Sequence, residues 1–282
     1  MTPKPKTAEG YSRDGTDLAE RVLLDVWSRL GDFREHLVLV GGLAPRYIVR
    51  QAGESPFSAP PPHVGTVDVD LAVSLTVASL RTYQSIHSTL VETMGFEPGR
   101  GRGGRDQRHS FIKRVGVTPI VLDFLTTKYG GPENSLMREV EEHLSAIQVE
   151  GLGLALKDPL QVHVEGLLLE GGLYGAMVNV CRPGPFVVLK ALALEKRGEH
   201  KDAYDLVYVL RHYKEGPESV ACEIPEEERA EESFQKALSV LRARFESIGH
   251  DGPVKCGTFH HSEVNTAAQA YAAVQDFLNA LR

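Results

Sequence analysis

Two aspartates stand two residues apart in HVGTVDVDLAVSL (63–75), inside a run of valines and leucines. In an extended strand residues i and i+2 point to the same face, so Asp68 and Asp70 project together. Carboxylates placed side by side repel, and burying them is unfavourable without compensation. Either the pair lies at an exposed strand end or a cation lies between the two groups. A third carboxylate, Asp123, stands in the middle of another strand-like run, TPIVLDFLTT (118–127). If the two strands are neighbours, roughly 5 Å apart, the three carboxylates meet on one sheet. Such a hard, oxygen-rich, anionic site suits magnesium, which commonly shares its shell with substrate phosphates. Two such ions can activate an attacking hydroxyl and stabilise a leaving pyrophosphate.

A phosphate site is expected nearby. HLVLVGGLAPRYIV (36–49) reads as a short buried strand, a Gly41-Gly42 turn and a helix from about Leu43 to Gln51. Backbone N–H groups at the start of such a helix face an anion, and glycine lets a phosphate approach closely. The plain alternative is a tight turn with no ligand.

The remaining elements must position these residues. DLAERVLLDVWSRL (17–30) has apolar residues at helical spacing. Thr76 to Met94 reads as a helix capped by Thr76 and stopped by Gly95. GESPFSAPPP (53–62) reads as a proline-rich loop, and residues 139–157 as short strands. A glycine- and arginine-rich loop, 99–114, carries Arg100, Arg102, Arg105, Arg108, Lys113 and Arg114 and leads into a strand around His109–Val115. It reads as a solvated run or as a charge clamp for polyphosphate or RNA. It shows no aromatic interleaving for base stacking. From Pro185 the pattern is helical: 185–197, 199–213, 226–248 and 264–281. The expected architecture is α+β (α/β), a mixed sheet flanked by helices and followed by a helical bundle. The expected division is a flexible tail 1–16, an α/β domain 17–182 and a helical domain 183–282.

Composition limits the class. The chain has 282 residues, 42% hydrophobic and 24% charged, which places it among globular proteins. A formal net charge of −7 gives no global attraction to nucleic acid or an anionic membrane. Three scattered cysteines, with no CxxC, favour a reducing compartment. With no signal peptide and no membrane-length apolar run, the expectation is a soluble, cytoplasmic protein. His260-His261 reads as a surface pair.

The order of these motifs resembles the polymerase-β-like nucleotidyltransferase superfamily: VGGLA, TVDVDL, then VLDFLT. The stretch FVVLKALALEKRGEHKDAYDLVYVL further resembles the AbiEii-type toxins, the enzymatic halves of type IV toxin–antitoxin systems. The resemblance spans roughly 37–213. It implies Asp68, Asp70 and Asp123 as metal ligands for one or two Mg2+ ions, with Asp123 as base toward the attacking hydroxyl. It implies Lys190 at the triphosphate, with Asp202 or Asp205 near the site. Gly41, Gly42, Thr66 and Arg46 complete the nucleotide-binding set it implies. It also implies an NTP substrate, an RNA acceptor such as a tRNA 3′ end, reached through the 99–114 loop, and an antitoxin partner. Two features depart from the pattern: Val64 stands where the family has an arginine, and the interval from Gly42 to Asp68 is long. Arg46 or His63 is then expected to substitute. From the residues alone, Lys190 could equally pair with Asp202 or Asp205 and dock two helices. A small-molecule nucleotidyltransferase and a non-catalytic nucleotide- or partner-binding module remain the alternatives.

Overall fold

The computed structural model describes residues 5–51, 60–74, 86–101, 104–128, 137–139, 144–260 and 265–282. Helix α1 (Arg13–Arg29) starts earlier than its apolar spacing suggests, because the Ser12 hydroxyl accepts from the Gly15 N–H at 3.0 Å and caps it. Its buried face carries Ala19, Val22, Leu23, Val26 and Trp27, and the Trp27 indole donates to the Met177 carbonyl at 2.9 Å.

That helix packs on a mixed sheet of nine strands among the described residues. In chain order they are β1 (Leu37–Val40), β2 (Asp68–Val73), β3 (Glu97–Arg100), β4 (Asp106–Val115), β5 (Thr118–Thr127), β6 (Met137–Glu139), β7 (Ser145–Val149), β8 (Leu160–Leu167) and β9 (Leu173–Val180). Their order across the sheet is β3-β4-β5-β2-β1-β9-β8, with β7 also on β5 and β6 on β7. β1 is central and buried at all four positions. β2 runs antiparallel to β1 and parallel to β5.

Several elements differ from the sequence expectation. The 99–114 loop is largely a β-hairpin, β3–β4, closed where Gly101 donates to the Arg105 carbonyl; Arg102 lies outside the described residues. Within 139–157, residues 152–155 form a helical turn, α3 (Leu152–Ala155), after Gly151 at positive φ. The β8–β9 hairpin was not anticipated, although β8 alternates buried and exposed residues. Of the helix expected over 76–94, residues 75–85 lie outside the described set, and the remainder is helical to Thr93. Most of the 53–62 loop also lies outside that set.

The helices that follow are α4 (Pro183–Arg197), α5 (His200–His212), α6 (Pro217–Cys222), α7 (Glu226–Arg229), α8 (Glu232–Arg244), α9 (Asp251–Phe259) and α10 (Thr266–Ala280); α2 (Ala44–Gln51) precedes β2. The single helix expected over 226–248 is two, α7 and α8, broken at Ala230 and Glu231, where Glu231 turns extended and serves as the α8 N-cap. Two short helices, α6 and α9, have no counterpart in the sequence reading. The chain divides into two compact units: Ser12–Ala44 with Gly65–Cys181, which holds the sheet, and Lys4–Tyr11 with Pro45–Val64 and Arg182–Arg282. The helical unit thus draws on two segments from the first part of the chain. No helix among the described residues is long and apolar enough to cross a membrane.

Candidate active site

β2 and β5 pair in parallel with Asp70 directly opposite Asp123 and Asp68 opposite Val121. Alternation fixes their faces. Val69 and Leu71 of β2, with Leu122 and Phe124 of β5, are fully buried on one side. Asp68, Asp70 and Asp123 point to the other side and are half-buried. The valine-rich run therefore serves the core with one face only, and the charges do not enter the hydrophobic interior. The row continues outward, since Ser110 of β4 lies opposite Asp123.

Gly41 follows β1 and is fitted to this row. Its φ is 68°, and a Cβ placed there would come within 1.9 Å of the Asp70 Oδ2. Glycine is thus required on two counts, positive φ and the carboxylate resting against it. Gly41→Ala is expected to destabilise the fold by about 1–3 kcal/mol and to push Asp70 out of the row. Thermal denaturation reads the first effect and the transfer assay below reads the second; unchanged values in both would overturn this reading of Gly41.

Thr66 fixes the entry to β2. Its backbone N–H donates to the Thr16 hydroxyl at 3.1 Å, and its own hydroxyl accepts from the Asp68 N–H at 3.1 Å. Gly65, at φ 86°, leaves room for Thr16, whose Oγ1 would lie 1.7 Å from an added Cβ. The buried Thr66 therefore braces Asp68 through the backbone. The brace from α1 was missed in the sequence, although Gly-Thr-Val leading into the Asp-x-Asp strand is its local trace.

The donor set is all oxygen, and Asp70 and Asp123 are direct neighbours, which suits a hard cation. Among the described residues, however, no three His, Cys, Asp or Glu side chains form a group that could hold a metal ion. Asp68 and Asp70 are separated by two strand rises, roughly 6.6 Å, and Asp70 and Asp123 are one strand apart, about 4.8 Å, with all three on one face. Two carboxylates completed by phosphate oxygens and water still fit magnesium's usual shell.

In the helical unit, Lys190, Lys201, Asp202 and Asp205 meet in a buried ion network. Lys190 Nζ donates to Asp205 Oδ2 at 2.6 Å and to Asp202 Oδ1 at 3.1 Å. Lys201 donates to Asp205 Oδ1 at 2.7 Å, and Arg197 holds both oxygens of Asp202. Burial raises the pKa of Asp205, but Lys190, Lys201 and the His63 hydrogen bond outweigh it and hold the carboxyl well below the usual range. The network joins α4 to α5, the docking alternative left open by the sequence. Arg46 is half-buried on α2, and its charge with that of Arg50 opposes the burial that raises Tyr208 to about 12.

His63 belongs to the same network. Its Nε2 lies 2.9 Å from Asp205 Oδ1, and its ring packs against Tyr204 and Tyr208 at 5.0 and 4.8 Å. Tyr208 donates to the Pro61 carbonyl and Tyr204 accepts from the Val64 N–H, so α5 straps down residues 61–64. His63 is engaged by Asp205, which gives it a bound role other than the substitute for the family arginine expected at 64. His260, expected at the surface, packs its ring against Tyr204 and Phe259; His261 lies outside the described residues.

Burial lowers His63 to about 4, against the upward pull of Asp205. The unfolded chain therefore takes up this proton first, near 6.5, as pH falls. His63 contributes full stability above about pH 6.5 and loses roughly 1.4 kcal/mol per pH unit below it. His212, lowered to about 4 by burial and Arg211, adds in the same direction. His63→Gln, which retains a donor but does not titrate there, is expected to flatten part of the fall in urea midpoint between pH 6.5 and 5. An identical slope in wild type and variant would remove His63 as its source.

No curated protein matches the sequence. Among solved structures, the antibiotic-resistance factor ANT(2'')-Ia, known from a solution structure, aligns at 14% identity with a TM-score of 0.31, covering 92% of this chain and 97% of that one. A similarity of that size carries no argument about substrate. The sequence itself is more informative. The model of a family described as nucleotidyltransferase matches residues 19–209, from α1 through the Gly41 turn and both carboxylate strands to α5. That span is well over half the chain, and the chain therefore belongs to the nucleotidyltransferase family.

Proposed function

We propose that this chain transfers a nucleoside monophosphate from an NTP to an acceptor hydroxyl, with Asp68, Asp70 and Asp123 at the reacting centre. The observation that carries the proposal is the register that sets Asp70 beside Asp123 on the half-exposed face of the sheet. Asp70 and Asp123 would hold magnesium; when bound, it would neutralise the triphosphate and favour an in-line displacement. The acceptor oxygen forms a bond to the α-phosphorus as the bond to the bridging oxygen of pyrophosphate breaks. Asp123 takes the proton of the acceptor hydroxyl. Thr66 and Gly41 hold Asp68 and Asp70 in place, and the backbone N–H groups of the Gly41-Gly42 turn are assigned to the phosphates.

We read the acceptor as RNA and the chain as an AbiEii-type enzyme working beside an antitoxin. The support is the Lys190 to Leu206 helical pair that resembles that family and the cationic β3–β4 hairpin. Lys190, Asp202 and Asp205 serve this reading by fixing α4 on α5. The test is incubation with each of the four α-labelled NTPs, magnesium and total RNA, beside a panel of hydroxylated small molecules. Label entering RNA, absent in the Asp68→Ala/Asp70→Ala variant, is the expected result. Label entering only a small molecule would replace RNA as acceptor. A folded protein that releases no pyrophosphate would overturn the enzymatic reading in favour of a binding module.

A further inference from the structure

The two ends of the sheet are finished differently. At one end β3 has four residues and carries Pro98, Arg100 and a break in register between Pro98 and Gly99. Short length, proline, charge and a bulge are the usual means of keeping an edge strand from pairing again. At the other end β8 has eight residues, LQVHVEGL, with no proline, lysine or arginine. It pairs with β9 in one unbroken register from Leu160 to Leu167. Among the described residues no strand pairs with its outer side.

The hairpin turn fixes which backbone groups face outward. The Leu168 N–H donates to the Gly172 carbonyl at 3.0 Å. Antiparallel pairing alternates between hydrogen-bonded and non-hydrogen-bonded pairs. Gly166, Val164 and Val162 therefore bond to β9, and Leu167, Glu165, His163 and Gln161 turn their N–H and C=O groups outward. Arg21 agrees, since its Nε donates to the outward Leu167 carbonyl at 3.3 Å. The side chains divide in the same way. The even positions face α1, where a Cβ on Gly166 would come within 3.0 Å of Leu24 Cδ1. Gln161, His163, Glu165 and Leu167 are exposed on the other face. Gly175 and Met177, the β9 residues opposite Glu165 and His163, offer them no polar partner.

We propose that the open edge of β8 binds a second copy of this chain, antiparallel and strand to strand, about a two-fold axis at Val164. The two sheets then form one. A two-fold axis pairs a strand with its own reverse, and outward-facing residues must meet outward-facing residues. The axis near the middle of β8 therefore falls at His163, Val164 or Glu165. At Glu165 it sets two carboxylates against each other, and at His163 two imidazoles; like groups directly opposite are unfavourable when charged. At Val164 it sets His163 opposite Glu165 of the second copy, a base against an acid, and does so twice. Gln161 then lies opposite Leu167 of the second copy, also twice. Each of these pairs exchanges two backbone hydrogen bonds, about eight in all. The contact is narrow, so the association is reversible and depends on protein concentration.

The full chain is followed by sedimentation velocity over a wide range of concentration, and by amide hydrogen exchange at low and high concentration. A monomer–dimer equilibrium is expected. Exchange at the His163 and Glu165 amides should slow as the dimer fills, whereas the Val162 and Val164 amides, already bonded to β9, should not change. His163→Glu sets like charges opposite each other twice and should raise the dimer dissociation constant at least about tenfold. The position is exposed, so the urea midpoint of the monomer should match wild type. His163→Glu/Glu165→Lys returns opposite charges to both pairs and should restore the dimer. A wild type that stays monomeric at the highest concentration overturns the proposal and leaves the edge to solvent or to a different chain. A dimer that tolerates His163→Glu overturns it too, as does one in which the His163 and Glu165 amides exchange as fast as in the monomer.

Discussion

Asp70→Asn is expected to lower nucleotide transfer by at least about 10²–10³-fold, near 3–4 kcal/mol in transition-state stabilisation, while leaving the protein as stable as before or more so. The asymmetry follows from the row. Asp70 stands beside Asp123, with Asp68 two residues away on the same face, so like charges repel in the absence of a cation. Asparagine keeps the shape that rests against Gly41 and removes one of those charges. The urea midpoint in EDTA should therefore stay level or rise as activity disappears, the trade expected where a site is built against stability. Magnesium should raise the wild-type midpoint more than that of the variant, by preferential binding to the folded state. Equal activity in the two proteins would remove Asp70 from the site. A large loss of stability would mean that Asp70 is structural and that the activity loss reports unfolding.

The second large effect is expected far along the chain, and it is on stability. Asp205→Asn leaves Lys190 with Asp202 alone and Lys201 with the face of Tyr11, 5.4 Å from its ring centre. Both lysines stay buried, with side-chain exposures of 8% and 11%. Removing one partner from a buried ion pair typically destabilises by about 3–5 kcal/mol, because the remaining charge is neither paired nor hydrated. Urea denaturation at pH 7.5 measures it. A loss under about 1 kcal/mol would show that the network behaves as a solvated surface cluster. The combined replacement Lys190→Met/Lys201→Met/Asp205→Leu/Asp202→Leu should recover much of the loss, since apolar residues of similar volume often replace buried ions without penalty. The network holds two helices together.

The sequence alone determined much of what has a short period, though not the alternating β8. Alternation in TVDVDL put Asp68 and Asp70 on one face, and the same alternation in TPIVLDFLTT put Asp123 opposite the buried Leu122 and Phe124. Helical spacing placed α1, α4, α5 and α10, and Gly-Gly after VLV marked the end of β1. A cap moved the α1 start, and a Glu231 break split 226–248, because single residues at helix ends decide boundaries that periodicity leaves open.

Tertiary structure decided what pairs with what. Nothing in the spacing says that β5 runs parallel to β2 in the register that aligns Asp123 with Asp70, or that Gly41 is glycine because Asp70 lies against it. The Thr16–Thr66 brace joins residues 50 apart, and the His63–Asp205 bond joins residues 142 apart. The arginine-rich stretch read as a loop because its glycines interrupt the alternation, yet β4 supplies enough ladder on β5 to hold a bulged hairpin there. Local pattern is written in adjacent residues, since it reflects which face each must bury. Long-range partners are chosen only when the whole core closes, and in this protein that closure sets one carboxylate beside another.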